Sequence, residues 1–327
     1  MAVYNGERYI AEAIESVLGQ THEDFEFVIV NDGSTDRTLE IIERYTANDE
    51  RIRVISHANM DQPASLNRGL AAATHEWVAT IDADDIWMPH RLETQLRVLQ
   101  GEPSIRVLGS FAVWMDENGR GRGIRVHRPQ SISEFKRFIE RNGRVGLIHP
   151  SALMHRPTVL ALGGYDPAFG PAADSELWSR VSDEHMVVSL PEPLLYYRVH
   201  PASMSMTRCF EQLLMLRWID ARQHARRQGL PQTTLEEYRN LHILRRLDYG
   251  RQDWGEYLAR SSTLEWCGGH HLRALLIRVV ALALTPLQFT NWLSSRIRVF
   301  MRHGIRGILD RRSVAGKQPS GAEREKR

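Results

Sequence analysis

The chain of 327 residues is 42% hydrophobic and 25% charged, which suits one large soluble domain with an appendage, or two small domains. Its two cysteines, Cys209 and Cys267, match no metal or redox spacing and read as reduced thiols, and no charged-then-apolar opening argues for a secretory signal. The net charge of +2 hides an asymmetry: from His270 onward 12 Lys and Arg face 3 Asp and Glu, so the body is acidic and a uniform basic face for nucleic acid is not expected on it.

Ile10, Ala13, Ile14, Val17 and Leu18 recur at helical spacing behind the turn residues Tyr4-Asn5-Gly6, which predicts a helix over 7–19. Phe25 to Val30 is a β-rich run ended by Asn31-Asp32-Gly33-Ser34, and Thr35 or Asp36 is expected to cap a helix whose apolar face is Leu39, Ile42 and Tyr45. The rhythm continues with a strand at Ile52 to Ser56, a helix from about Pro63 to Ala73, a strand at Trp77 to Ile81, and a helix from Pro89, placed at its first position, to about Leu99. Strands alternating with helices imply right-handed βαβ units and a mainly parallel, Rossmann-like α/β sheet flanked by helices.

From about Ile105 the pattern loosens into a strand to Val113, a Gly-rich hairpin over 118–123 and a helix near 133–142. Strands are expected at Ser151 to His155, Val187 to Leu190 and Leu194 to Val199, with a helix at about 174–183. Past about 207 long helical runs dominate, which puts a boundary near residue 205.

The run Trp77 to Ile81 stops on Asp82-Ala83-Asp84-Asp85. Clustered carboxylates at the carboxyl end of a strand lie on the edge where open α/β sheets bind ligands, and their hard oxygens suit Mg²⁺ or Mn²⁺ shared with a diphosphate. A solvated acidic turn is the other reading of the same four residues.

The segments MAVYNGERYIAEAIESVLGQT, FEFVIVNDGSTDRT, ASLNRGL, ATIDADD, GGYDPAFGPAADSELW and YRVHPASMS, taken in this order over residues 1–205, resemble the family 2 glycosyltransferases, which have the GT-A fold. The resemblance implies a catalytic unit over 1–205 that uses a nucleotide-sugar donor, UDP-, dTDP- or GDP-linked, with Mn²⁺ or Mg²⁺. Val3, Tyr4 and Glu7 would line the base and ribose pocket, Asp32 would accept a hydrogen bond from the base, and Asn67 and Arg68 would hold ribose or phosphate. Asp84 would ligate the metal, Asp82 the metal or ribose, with Asp85 orienting. His200 would serve as a further metal or phosphate contact, with Arg198 beside it on the diphosphate. The base that takes the acceptor proton would be Asp174, although the Glu that the family places before it is here Ala173.

Such chemistry inverts the anomeric centre and delivers the sugar to a hydroxyl of a glycan or lipid-linked acceptor, as in cell-surface polysaccharide assembly. Family members usually carry an apolar strand ahead of the segment that here starts at Met1, so the sheet is expected to lack its first strand. That gap and Ala173 leave open an impaired nucleotide-sugar binder. Nucleotidyl transfer is the third reading, without the Gly-rich phosphate loop and Lys it normally shows.

Residues 206–327 read as a helical, basic region with a disordered tail from about 313. The uncharged stretch 279–295 contains Pro286, Gln288 and Asn291, which puts it at the short, polar limit for a spanning helix of about 20 apolar residues. A basic, Trp-bearing region over 270–312 could instead lie peripherally on an anionic inner leaflet, or pack as a helical cap. The expected location is cytoplasmic, at the inner face of the cytoplasmic membrane.

Overall fold

A computed structural model describes residues 1–141, 144–241 and 246–285. The uncharged stretch beyond Thr285, most of the expected membrane-contact region and the expected disordered tail lie outside the described residues.

The first half is βα repeats built on a three-stranded parallel sheet in the order β1 (Ala2–Val3), β2 (Phe27–Asn31), β3 (Ile52–Ser56). Helices α1 (Ile10–Leu18), α2 (Thr38–Thr46) and α3 (Gln62–Ala72) connect and flank it. Every residue of β2 is buried, as a continuous apolar strand covered on both faces must be. Ile10, Ile14, Ile29, Ile42 and Ile52 form its core together with Trp87, Leu92 and Leu195.

A second, mixed sheet runs in the order β4 (Trp77–Ala79), β8 (Leu153–His155), β6 (Ile105–Met115), β9 (Met186–Arg198), β5 (Ile86–Trp87), with β7 (Gly121–Arg125) forming a hairpin on β6. Among the described residues only β6 and β9 pair in parallel there; the other pairs are antiparallel. Helices α4 (Arg91–Gly101), α5 (Ile132–Glu140), α6 (Arg156–Ala161) and α7 (Ala173–Glu184) surround this sheet.

Three expectations shift in detail. The two strands foreseen at 187–190 and 194–199 are one strand, β9, whose Pro191 and Pro193 are absorbed by register shifts opposite Ser110 and Phe111. Helix α4 starts at Arg91, because Thr21 N–H takes the Pro89 carbonyl and the Gln20 amide takes that of Met88, holding Met88-Pro89-His90 as a turn. Asp36 lies outside α2, yet its carboxylate accepts the Thr38 N–H at 3.0 Å, so it caps from one residue further out.

Beyond Ser203 the described chain is helical: α8 (Met204–Thr207), α9 (Cys209–Arg227), α10 (Leu235–Leu241), α11 (Arg246–Cys267) and α12 (His271–Leu284). Met215, Trp218 and Ile219 of α9 share a core with Phe169 and Trp178, and the Phe169 and Trp218 rings stack at 4.5 Å. Helix α9 is thus held to α7 by buried apolar area, and Arg226 adds an ion pair to Asp183 at 2.8 Å.

Candidate active site

After Ala79 the chain leaves the β4 ladder and turns through Asp82 to Asp85, closed by the Asp85 N–H on the Asp82 carbonyl at 3.2 Å. One carboxylate oxygen from each of Asp82, Asp84 and Asp85 lies within 4.8 Å of the others. Their surroundings differ. Asp82 meets His149 Nδ1 at 3.4 Å, and Asp84 meets His200 Nε2 at 2.9 Å. Asp85 is buried; its Oδ1 accepts the Arg198 N–H at 2.8 Å and its Oδ2 has no partner. Burial, then the charges of Asp84 and Asp82, push the Asp85 carboxyl well above the usual carboxylate range, with Arg198 opposing.

A buried carboxylate oxygen without a donor, beside two more carboxylates, is a donor set that a hard divalent cation would satisfy. The residues therefore fit such an ion.

Arg198 fastens this turn. Its guanidinium donates to the Asp84 carbonyl at 2.7 Å, the Glu117 carbonyl at 3.2 Å and Glu12 at 2.6 Å, and it lies 4.3 Å over the Tyr9 ring. With those bonds made inside the protein, it acts here as a strut.

The facing wall is the start of α7. Gly170, at φ 43, and Pro171 kink the preceding turn so that α7 begins at Ala173 and carries Asp174 in its first turn. Arg180 on α7 pairs with Glu176 and donates to the Gly164 carbonyl at 2.6 Å, which pins the helix to the loop Gly163-Gly164-Tyr165. His149 joins the two walls: Nδ1 faces Asp82, while Nε2 meets the Tyr165 hydroxyl at 3.0 Å.

Burial opposes a charged His149, but the Asp82 hydrogen bond and the charges of Asp82 and Asp174 prevail and raise its pKa. Asp174 is raised as well, chiefly by loss of water, with His149 pulling it back down. A carboxylate of raised pKa is, in its ionised form, a stronger base than a solvated one. The cleft between these walls has a volume of about 420 Å³, and Arg260 and Arg278 of α11 and α12 reach its lining beside Asp82, His149, Asp174 and Arg198.

Of the remaining sequence candidates, Val3, Tyr4, Glu7 and Asp32 lie at or just beyond the carboxyl ends of β1 and β2, and Asn67 and Arg68 lie on α3. Val3 is buried, Tyr4 is 52% exposed, and Glu7 accepts the Arg37 N–H at 3.0 Å. Asp32 is buried, and its carboxylate accepts the Met60 N–H at 2.7 Å and the Asn59 amide at 3.3 Å. Gly33, at φ +72, allows that loop to close, since a Cβ there would meet the Asn59 nitrogen at 2.6 Å. Asn67 exchanges two hydrogen bonds with the Tyr165 backbone, at 2.7 and 2.8 Å. Arg68 is exposed on α3 and stands apart from the cleft.

His149 is a site residue that the sequence candidates do not include; the one signal it carries is the His-Pro-Ser segment ahead of β8. Arg260 and Arg278 carried no signal.

Residues 1–161 match the model of Glycosyl transferase family 2. An uncharacterized glycosyltransferase of Methanocaldococcus jannaschii, MJ1057, is 32% identical over 220 residues, 65% of this chain and 74% of that protein. The chain belongs to glycosyl transferase family 2. Among other members, the O-antigen biosynthesis glycosyltransferase WbnJ of Escherichia coli is 27% identical over 62% of this chain and 79% of its own length. The mannosyltransferase PcManGT of Pyrobaculum calidifontis, solved with GDP-Man and Mn²⁺, superposes with a TM-score of 0.53 at 16% identity, covering 92% of this chain and 79% of that one. At that identity the likeness shows the shared GT-A fold.

Proposed function

We propose that this family 2 transferase moves a sugar from a nucleotide-diphosphate donor to a hydroxyl of a glycan or lipid-linked acceptor, with inversion, in cell-surface polysaccharide assembly. The observation that carries the reading is that Asp82, His149 and Asp174 line one cleft, with His149 Nδ1 3.4 Å from Asp82 and within the electrostatic reach of Asp174. The acceptor O–H gives its proton to the Asp174 carboxylate while its oxygen bonds the anomeric carbon. The bond from that carbon to the diphosphate oxygen breaks on the opposite face, and the electron pair leaves with the nucleotide. One displacement of this kind turns an α-linked donor into a β-linked product.

Asp84 and Asp82, with His200, would hold Mn²⁺ or Mg²⁺, which when bound supplies positive charge for the diphosphate. Val3, Tyr4, Glu7 and Asp32 would receive the base and ribose of a UDP-, dTDP- or GDP-linked donor. Asn67, Arg68 and Arg198 have weaker support as donor contacts: Asn67 and Arg198 spend their polar groups on the protein, and Arg68 is outside the cleft.

Peripheral contact with the inner membrane face is supported by α12, where Leu272, Leu275, Leu276, Val279 and Val280 are exposed along one stripe beside Arg273. Among the described residues no helix is long and apolar enough to cross a membrane. The deciding experiment is a transfer assay over UDP-, dTDP- and GDP-sugars with Mn²⁺ or Mg²⁺. Product formation with one donor supports the reading; binding without turnover across the panel would replace it with a donor-binding protein.

A further inference from the structure

The cleft that holds Asp174 has a third wall, which the proposed chemistry does not use. Arg125 of β7, Arg260 of α11 and Arg278 of α12 line it together with the rings of Trp114 and Tyr197. Asp32, Glu7 and Asp84 are not part of this lining, so the volume lies on the acceptor side of the proposed reaction.

Arg125 is the most firmly prepared of the three. Trp114 on β6 and Tyr197 on β9 are register partners, and the Arg125 guanidinium lies 4.9 Å from the first ring and 4.8 Å from the second. Its Nε donates to His127 Nε2 at 3.0 Å. That imidazole has to be neutral to accept, and burial, then the Arg125 charge, lower it to about 3 against its bond to the Gly146 backbone. Among the described residues no carboxylate pairs with Arg125, and its two Nη groups make no hydrogen bond. A guanidinium held by two rings and one nitrogen, with its fork unpaired, is preorganised for an oxyanion. Arg260 uses Nη1 on the Ser205 carbonyl at 2.6 Å and on Gln212 at 2.8 Å, while its Nε meets Glu256 at 3.4 Å. Arg278 donates to the Ala259 carbonyl at 3.1 Å, which fixes α12 to α11 one residue before Arg260. On the wall made by β7, α11 and α12, three guanidiniums thus stand with one carboxylate, Glu256.

We propose that this wall is an anion subsite, in which Arg125 and Arg260 hold a phosphate or carboxylate carried by the acceptor while the acceptor hydroxyl reaches Asp174. The inference rests on the proposed transfer reaction for the existence of an acceptor, and it narrows that acceptor to an anionic one. Arg125 becomes a specificity-determining residue, because a neutral glycan would leave its charged fork partly desolvated and without a partner. A lipid-linked phosphate and an acidic sugar both supply the required group.

The test is calorimetry on the full chain at low salt, with a chelator present so that no metal draws phosphate to the turn at Asp82 to Asp85. The probes are a short-chain alkyl phosphate, an alkyl glucuronide and the matching neutral alkyl glucoside. In the parent, at least one anionic probe should bind about tenfold or more tightly than the glucoside, the scale of one hydrogen bond to a charged group, and the difference should shrink as salt rises. Arg125→Gln and Arg260→Gln should each remove most of that preference, and Arg125→Lys, which keeps the charge without the fork, should restore part of it. Where Arg125→Gln does not fold, Arg260→Gln and Arg125→Lys carry the same comparison. A preference for the phosphate identifies a lipid-linked phosphate as the source, and one for the glucuronide an acidic sugar. Absence of binding, or equal affinity for all three probes, overturns the proposal. So does an anion preference that survives the substitutions, since the anion then binds elsewhere. No readout involves donor or turnover: anion preference with a silent donor panel would reject the transferase reading alone, and donor turnover without anion preference would reject the subsite alone.

Discussion

The loops after β1 and β2 and the cleft below β4 both present carboxylates at a sheet edge, yet they treat them oppositely. Asp32, Asp36 and Glu7 each accept backbone N–H groups of nearby residues. Asp85 keeps an unpartnered buried oxygen, and Asp85, Asp174 and His149 all have raised pKa values. Satisfied carboxylates build a rigid rim, whereas under-satisfied ones hold electrostatic energy that a ligand or a proton can release. On the proposed reading, the first region receives the donor and the second carries out the reaction.

Asp174→Asn breaks the reactive side at its centre. It should lower kcat about 10³-fold or more, at the upper end of what a general base supplies, while donor affinity by calorimetry stays within a few-fold of the parent. Retained turnover would remove Asp174 from the mechanism. Asp84→Asn should instead uncouple the metal: donor affinity falls, and the Mn²⁺ dependence of donor binding expected of the parent disappears in a titration against a chelator. A parent indifferent to the chelator would show that the carboxylates work without an ion.

The pH dependence follows from the raised Asp174 pKa. If the Asp174 anion is the base, as proposed, kcat/KM should climb as pH rises through that pKa, with its acid limb above the range of a solvated Asp. In His149→Gln the limb should move to higher pH, because the positive charge that holds the Asp174 pKa down is lost; an unmoved limb would show that His149 does not restrain Asp174. The direction of the shift thus reads the coupling across the cleft.

The strands and helices of the first half were legible because each is set by local pattern: β3 lies at Ile52–Ser56 as its β-rich run indicates, and α1 follows the spacing of Ile10, Ile14 and Val17. What escaped was decided at long range. β4 pairs with β8, some 75 residues later, and no local signal marks that choice. The Met88-Pro89-His90 turn is held by Gln20 and Thr21, so proline's preference for a first helical position gave way to distant hydrogen bonds. In the site, the three Asp residues stood out as a cluster in sequence. The fastening of Arg198 to Glu12 and Glu117, and the place of His149 between two walls, required the fold.

The smallest expected effect tests whether rim and cleft are mechanically joined. Asn67 on α3 holds Tyr165 by its backbone N–H and carbonyl, and Gly164, at φ +69, leaves room for that carboxamide where a Cβ would collide with it. Tyr165 in turn meets His149 through its hydroxyl. Asn67→Ala leaves the Tyr165 amide without its partner and should cost about 1–3 kcal/mol of stability, read as a lower Tm. If α3 only supports the fold, KM and kcat are unchanged at a temperature well below the transition. Transmission through Tyr165 to His149 predicts a several-fold lower kcat at unaltered donor affinity, and Asn67→Asp, which restores only the bond from the Tyr165 N–H because a carboxylate cannot donate to the Tyr165 carbonyl, should recover less than half of it.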